Sequence, residues 1–154
     1  MIKFVFLKKN SLIASEISAR NFQENVSNMS KRGLFTLEFP IRCSPNILYE
    51  FLSSPSGLQE WFADEVNQRD NKFFFTWDGN TDEAEVISSE ENTYIRFKWD
   101  YYDEEEYFEF RITQSDVTNE TILQVNDFAD EYDLKDQQQL WERQINDLKH
   151  RIGS

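Results

Sequence analysis

Leu34 to Ile41, LFTLEFPI, sets rings and aliphatic side chains against polar ones at every second position. That alternation predicts a half-buried strand, because successive side chains of a strand point to opposite faces. The period then changes. Ser44-Pro45 is a helix start, since a serine oxygen can accept an orphan N–H and proline suits the first turn. Ile47, Leu48, Phe51 and Leu52 follow at helical spacing. Ser54-Pro55 repeats the start signal, and Leu58, Trp61 and Phe62 share one helical face. SPSGLQEWFADEV, Ser54 to Val66, therefore reads mostly as a second short helix.

Period-two runs return after it: Lys72 to Trp77, Glu83 to Ser88, Thr93 to Asp100, Tyr107 to Gln114 and Thr121 to Phe128. Turn signals separate them, the strongest being Asp78-Gly79-Asn80, where glycine tolerates positive φ. Ile95, Phe97 and Trp99 fall on one face, and Tyr94, Arg96 and Lys98 on the other; Phe108, Phe110 and Ile112 point inward. The chain closes on one helix of about 20 residues, with Leu134, Trp141, Ile145, Leu148 and Ile152 on a single stripe. Asp133 is placed to cap its start, Lys149, His150 and Arg151 to meet its C-terminal dipole, and Gly153 to end it. Short turns make the sheet an antiparallel meander with one wet face. The final helix is the one element long enough to cover the other face. The expected fold is α+β: a helix-grip, with a curved antiparallel sheet of about 6–7 strands around a long C-terminal helix and two short helices after the first strand.

Residues 1–30 are patterned differently. Lys8-Lys9-Asn10 interrupt the apolar run of MIKFVFL, leaving it too short for a signal peptide. We expect an N-terminal extension, mobile or arising from a misplaced start codon with Met29 the natural start; the alternative is a helix over residues 11–26 packing on the domain. The folded domain is expected to be 31–154.

Charge narrows the class of partner. The chain has a net charge of -13, with net +2 in residues 1–30 and net -15 in the remainder. Nucleic acid and anionic membrane surfaces bind through Lys and Arg, so this balance disfavours both, and no nucleic-acid partner or membrane insertion is expected. The acid excess serves solubility or docks a protein partner with a basic surface. No run is long enough for a membrane helix. A single cysteine, Cys43, permits no internal disulfide and fits a cytoplasmic location.

The order of elements and several motifs resemble the START-like, or SRPBCC, superfamily, which includes the birch-pollen allergen fold. The residues are Leu58-x-x-Trp61-Phe62, the strand ending Trp77-Asp78-Gly79, Phe97-x-Trp99, and Asp127-Phe128 leading to Trp141 and Leu148-Lys149. The branch most similar is that related to the activators of heat-shock chaperone ATPase, and in particular the small acidic START-like proteins of Bacteroidetes-type bacteria. The resemblance implies the helix-grip fold over about Leu34 to Ile152, and an apolar ligand or a protein partner. It does not select an activity, since the superfamily hosts carriers, cyclases and co-chaperones, and the activators also depend on a further domain.

Catalytic chemistry has few candidates. His150 is the sole histidine, there is no second cysteine, and four glycines form no phosphate loop. Asp103 to Glu106 reads as a solvated hairpin turn. Asp127, Asp130, Glu131 and Asp133 lack the ligand alternation, glycine and distal Glu of a calcium loop. No enzyme activity, metal or cofactor is expected. The aromatics carry the signal. Trp61, Phe62, Phe75, Trp77, Phe97, Trp99, Phe110, Trp141 and Ile145 are the candidate ligand-binding residues, lining a small cavity for a hydrophobic molecule and gated at Trp61 and Phe62. The alternative is that the rings fill the interior and the acidic outer surface acts. Tyr94, Arg96 and Gln124 are the polar side chains that could orient a ligand if they faced inward, although alternation turns Arg96 outward.

Overall fold

The computed structural model of the chain describes residues 32–154; the expectations for residues 1–30 lie outside them. Its elements are β1 (Gly33–Ile41), α1 (Pro45–Ser53), α2 (Pro55–Gln59), β2 (Glu65–Arg69), β3 (Lys72–Trp77), β4 (Asn80–Glu90), β5 (Tyr94–Trp99), β6 (Phe108–Gln114), β7 (Thr121–Ala129) and α3 (Leu134–Ile152). The strands form one seven-stranded antiparallel sheet in the order β1-β7-β6-β5-β4-β3-β2. Strand β1 pairs with β7 through all of Gly33–Ile41, and the other neighbours are successive hairpins. This is the curved helix-grip arrangement that the alternation predicts.

Helix α3 is held by its apolar stripe. Trp141, Ile145 and Leu148 are fully buried, and the Trp141 ring lies edge-on to Phe110 with centroids 5.6 Å apart. Gln137 and Gln144 share the buried side. The helix ends at Gly153, whose N–H returns to the Lys149 carbonyl.

Four expectations are corrected. A further strand, β2, occupies Glu65–Arg69, most of it a stretch to which the pattern assigned no element. Its sequence, EVNQR, buries only Val66, so hydrophobic periodicity could not reveal it; β2 forms because it pairs with β3. The second helix is only Pro55–Gln59, and Trp61 and Phe62 occupy the turn beyond it. Ser44 and Asp133 stand at helix N-caps without making a side-chain cap. The Asp130 carboxylate accepts the N–H groups of Tyr132 and Asp133 instead, and Ser54 does cap α2, accepting from Gly57 N at 3.0 Å. Finally, Glu106 is not part of a solvated turn. It is 7% exposed and pairs with Arg32, while Asp103–Glu105 remain exposed.

Candidate functional site

The centre of the molecule is built by one tight turn. Leu58 O accepts the N–H groups of Trp61, Phe62 and Ala63 at 3.3, 2.8 and 3.4 Å. The chain leaves α2 so abruptly that both rings fall inward. The Phe62 ring lies with its centroid 4.9–6.5 Å from those of Trp61, Phe75, Trp77, Trp99, Phe108, Phe110 and Trp141, within the range of favourable aromatic pairing.

Each candidate residue therefore meets its neighbours. Phe75 and Trp77 come from β3, Phe97 and Trp99 from β5, Phe110 from β6, and Trp141 and Ile145 from α3. All are buried, as are Trp61 and Phe62. Phe108 completes the set, parallel to Phe97 at 5.0 Å and to Trp99 at 4.9 Å. At Phe62 the rings pack against one another.

The turn is also pinned through its polar atoms. Phe62 O accepts from Trp77 Nε1 at 2.8 Å and from Gln144 Nε2 at 3.1 Å. Trp61 Nε1 donates to Phe51 O at 2.8 Å. Outside the turn lies an open groove of about 570 Å³, bounded by Glu60–Asp64 and by Asp147, His150 and Arg151 of α3. Arg151 stands 3.9 Å from Glu60, both largely exposed. His150 is exposed in the last turn of α3.

Asp127 is the main polar residue of the interior, and the sequence reading did not place it there. Its Oδ1 accepts from Tyr102 Oη at 2.5 Å and from Phe128 N at 2.8 Å; its Oδ2 accepts from Trp141 Nε1 at 2.8 Å. One carboxylate thus joins β7, the segment after β5, and α3. Burial pushes its pKa up to about 6 despite those hydrogen bonds and the nearby Arg32. Burial also raises the Tyr101 and Tyr102 hydroxyls well above their usual value, with Asp127 adding to both shifts. The signal was present in the sequence, because Asp127 is in period-two register with Leu123 and Val125. Among the described residues no group of three or more His, Cys, Asp or Glu side chains converges on a metal-sized point.

Tyr94, Arg96 and Gln124 lie on the outer face, in ladders that cross the sheet. Cross-strand register aligns Arg96, Glu109, Asn126 and Thr36 in one row, and Tyr94, Arg111, Gln124 and Glu38 in the next. Glu109 accepts from Arg96, Arg111 and Asn126. Arg96 stacks over Tyr107 at 3.9 Å and Arg111 over Tyr94 at 4.3 Å. These side chains order the convex surface and do not address the interior.

The family model of the START-like superfamily domain matches residues 29–154 of the chain. The chain belongs to the START-like superfamily. Members of this superfamily commonly bind hydrophobic ligands or mediate interactions. A Bacteroides fragilis protein of known solution structure is 29% identical, with a TM-score of 0.57, over 79% of this chain and 91% of that one. The Aha1 dimer from Colwellia psychrerythraea is 14% identical with a TM-score of 0.64, covering 78% of this chain and 96% of that one. A Mesorhizobium loti protein is 16% identical with a TM-score of 0.63, covering 77% and 95%. The last two likenesses carry the fold alone. No curated protein matches. Among the described residues of this START-like chain, no helix is long and apolar enough to cross a membrane.

Proposed function

We propose that this START-like chain is a non-catalytic protein-interaction module whose filled interior serves as scaffold and whose acidic surface meets a basic partner. One observation carries the reading: Phe62 occupies the centre of the ring cluster while its carbonyl is fastened by Trp77 and Gln144. An interior ligand would have to withdraw a fully packed ring and break two buried hydrogen bonds. Burying such a side chain is worth about 1.5–3 kcal/mol, and each broken bond adds about 1 kcal/mol. A modest apolar ligand has little to set against that. The net -15 beyond residue 30 attracts cations over the whole surface.

A second reading is favoured by the groove at the same turn. In it the Trp61–Phe62 turn swings outward, and the nine candidate residues line a cavity for a small hydrophobic molecule. One experiment separates the two. Purified protein is mixed with a total lipid extract and analysed by native mass spectrometry, beside a pull-down from lysate resolved by partner isoelectric point. An apo spectrum with recovery of a basic protein is the expected result. A bound apolar species, lost or weakened in Trp61→Ala, would reverse the order.

A further inference from the structure

We infer that the free edge of β1 joins two copies of this chain, β1 lying antiparallel to β1 so that two sheets become one. The ladders show which backbone groups of β1 are unused. Ser115 N donates to Glu120 O, which turns the even-numbered residues of β7 toward β6 and leaves the odd-numbered ones for β1. Their partners in β1 are Gly33, Phe35, Leu37, Phe39 and Ile41. The N–H and C=O groups of Leu34, Thr36 and Glu38 therefore point away from the sheet, and among the described residues no strand lies beside them. The three side chains are exposed as well. Such a row of open backbone groups is a template for another strand.

The other edge positions are sealed. At the far side of the sheet β2 is only five residues long, with Glu65 and Arg69 at its ends, and its Val66 N–H is taken by Gln59 Oε1 at 3.0 Å. In the second half of β1, Pro40 has no N–H to offer. Just beyond it the Arg42 N–H donates to Ser154 Oγ at 2.8 Å. Short length, charge and proline are the devices that keep sheet edges from associating. Leu34–Glu38 carries one charge, at its end, and no proline.

Charge selects the occupant. Beyond residue 30 the chain is net -15, so most pairs of surfaces on two copies repel each other. Within Gly33–Ile41 only Glu38 is charged. A two-fold axis through Thr36 sets Thr36 opposite Thr36 and each Glu38 opposite the exposed Leu34 of the other copy, so no like charges face one another. Each of these pairs exchanges two backbone hydrogen bonds. A basic partner gains more from the acidic loops than from this strand, and the pairing stands apart from the interaction-module reading. A contact along one short strand is well below the area of a stable interface, so the dimer is weak and concentration-dependent.

The test follows the full chain by sedimentation equilibrium up to about 1 mM, with amide exchange measured by NMR at low and high concentration. The expected result is reversible dimerisation, with exchange at Leu34, Thr36 and Glu38 slowed on association. Thr36→Pro deletes an outward N–H and spares the ladder to β7; it should weaken the dimer about tenfold or more. Thr36→Lys and Thr36→Glu each set like charges opposite and should weaken it about threefold or more, while an equimolar mixture of the two associates again. Both lose the Thr36–Asn126 hydrogen bond, so rescue on mixing separates pairing from misfolding. A monomer at every concentration would overturn the proposal. So would a dimer indifferent to all three substitutions, which puts the interface elsewhere. Protection of these amides at every concentration, with contacts to residues 1–30, would overturn it by making the chain's own N-terminal segment the occupant.

Discussion

Trp77 Nε1 donates to the Phe62 carbonyl oxygen across 2.8 Å, in the buried interior. The bond joins the end of β3 to the turn after α2, and it fixes the backbone from which the Phe62 ring descends. Gln144 reaches the same oxygen from α3. Sheet, turn and helix therefore agree on the position of one ring. In a fold whose curved sheet encloses a space beneath its helix, that ring stands in the space.

Phe62→Ala should be among the most damaging single changes. It removes a fully buried ring from the middle of the cluster, and the neighbours are held by strands and a helix that cannot collapse inward. A loss of about 3–5 kcal/mol is expected, read as a lower urea midpoint with an unchanged slope. A loss under about 1 kcal/mol would mean that the ring is not packed as described.

Most of the fold was legible because its signals are local. Alternation along Ile95–Trp99 and Phe108–Ile112, and the stripe through Trp141 and Leu148, each follow from one element's own period. What escaped has no apolar period of its own to announce it. Strand β2 buries one side chain and exists through its ladder to β3. The inward fall of Trp61 and Phe62 was read as helical because their spacing from Leu58 suits a helix; a tight turn closing on Leu58 O gives the same burial. Glu106 looked like one more acid in a turn, but Arg32, 74 residues away, and the Asp103 N–H hold its buried carboxylate. The nine candidate residues all belong to the buried core cluster. Whether they surround space depends on ring packing, which one-dimensional periodicity does not encode.

Glu109→Gln should destabilise the sheet from its outer side. The carboxylate is 2% exposed. Burial alone would raise its pKa, but hydrogen bonds from Arg111, Asn126 and Arg96 outweigh that and hold it below the usual carboxylate value. Its ionisation therefore contributes stability that is present above the ordinary range and lost as pH falls through the folded-state pKa. Removing the charge leaves two half-exposed guanidiniums facing a neutral amide, at about 1–3 kcal/mol. Urea denaturation at pH 7 and pH 4 checks both parts: the gap between wild type and variant should narrow at pH 4.

Asp127 should show the opposite dependence. Its folded pKa of about 6 lies above the ordinary 3.8, so the folded state holds the proton more tightly than the unfolded chain. This group's contribution is fully present below pH ~4 and is lost as pH rises through ~6, a change of about 3 kcal/mol. Whole-protein stability mixes this with the other carboxylates, so the direct measurement is the carboxyl carbon-13 shift of Asp127 against pH. A midpoint near 6 is expected; one below 4 would mean that water reaches the carboxylate.

Gly57→Ala tests whether the corner between α1 and α2 sets the position of Phe62. A Cβ at Gly57 would lie 2.1 Å from Glu50 O and 2.7 Å from Phe51 Cα, both backbone atoms, and 2.8 Å from Ser54 Oγ. Backbone atoms of a packed helix cannot rotate aside, so α2 must move away from α1. The displacement passes along a short path. Ser54 Oγ would lose the Gly57 N–H that it caps, the Trp61 indole would be drawn from Phe51 O, and the Phe62 carbonyl would shift against Trp77 and Gln144. Although alanine favours helix over glycine by about 1 kcal/mol, the overlap should dominate, with a net loss of about 2–4 kcal/mol. Urea denaturation gives the size. Indole N–H resonances give the mechanism: those of Trp61 and Trp77 should move together while that of Trp141, anchored on Asp127, stays in place. An unchanged Trp77 resonance in a destabilised variant would show that the corner holds α2 alone and that Phe62 is positioned by the sheet and α3.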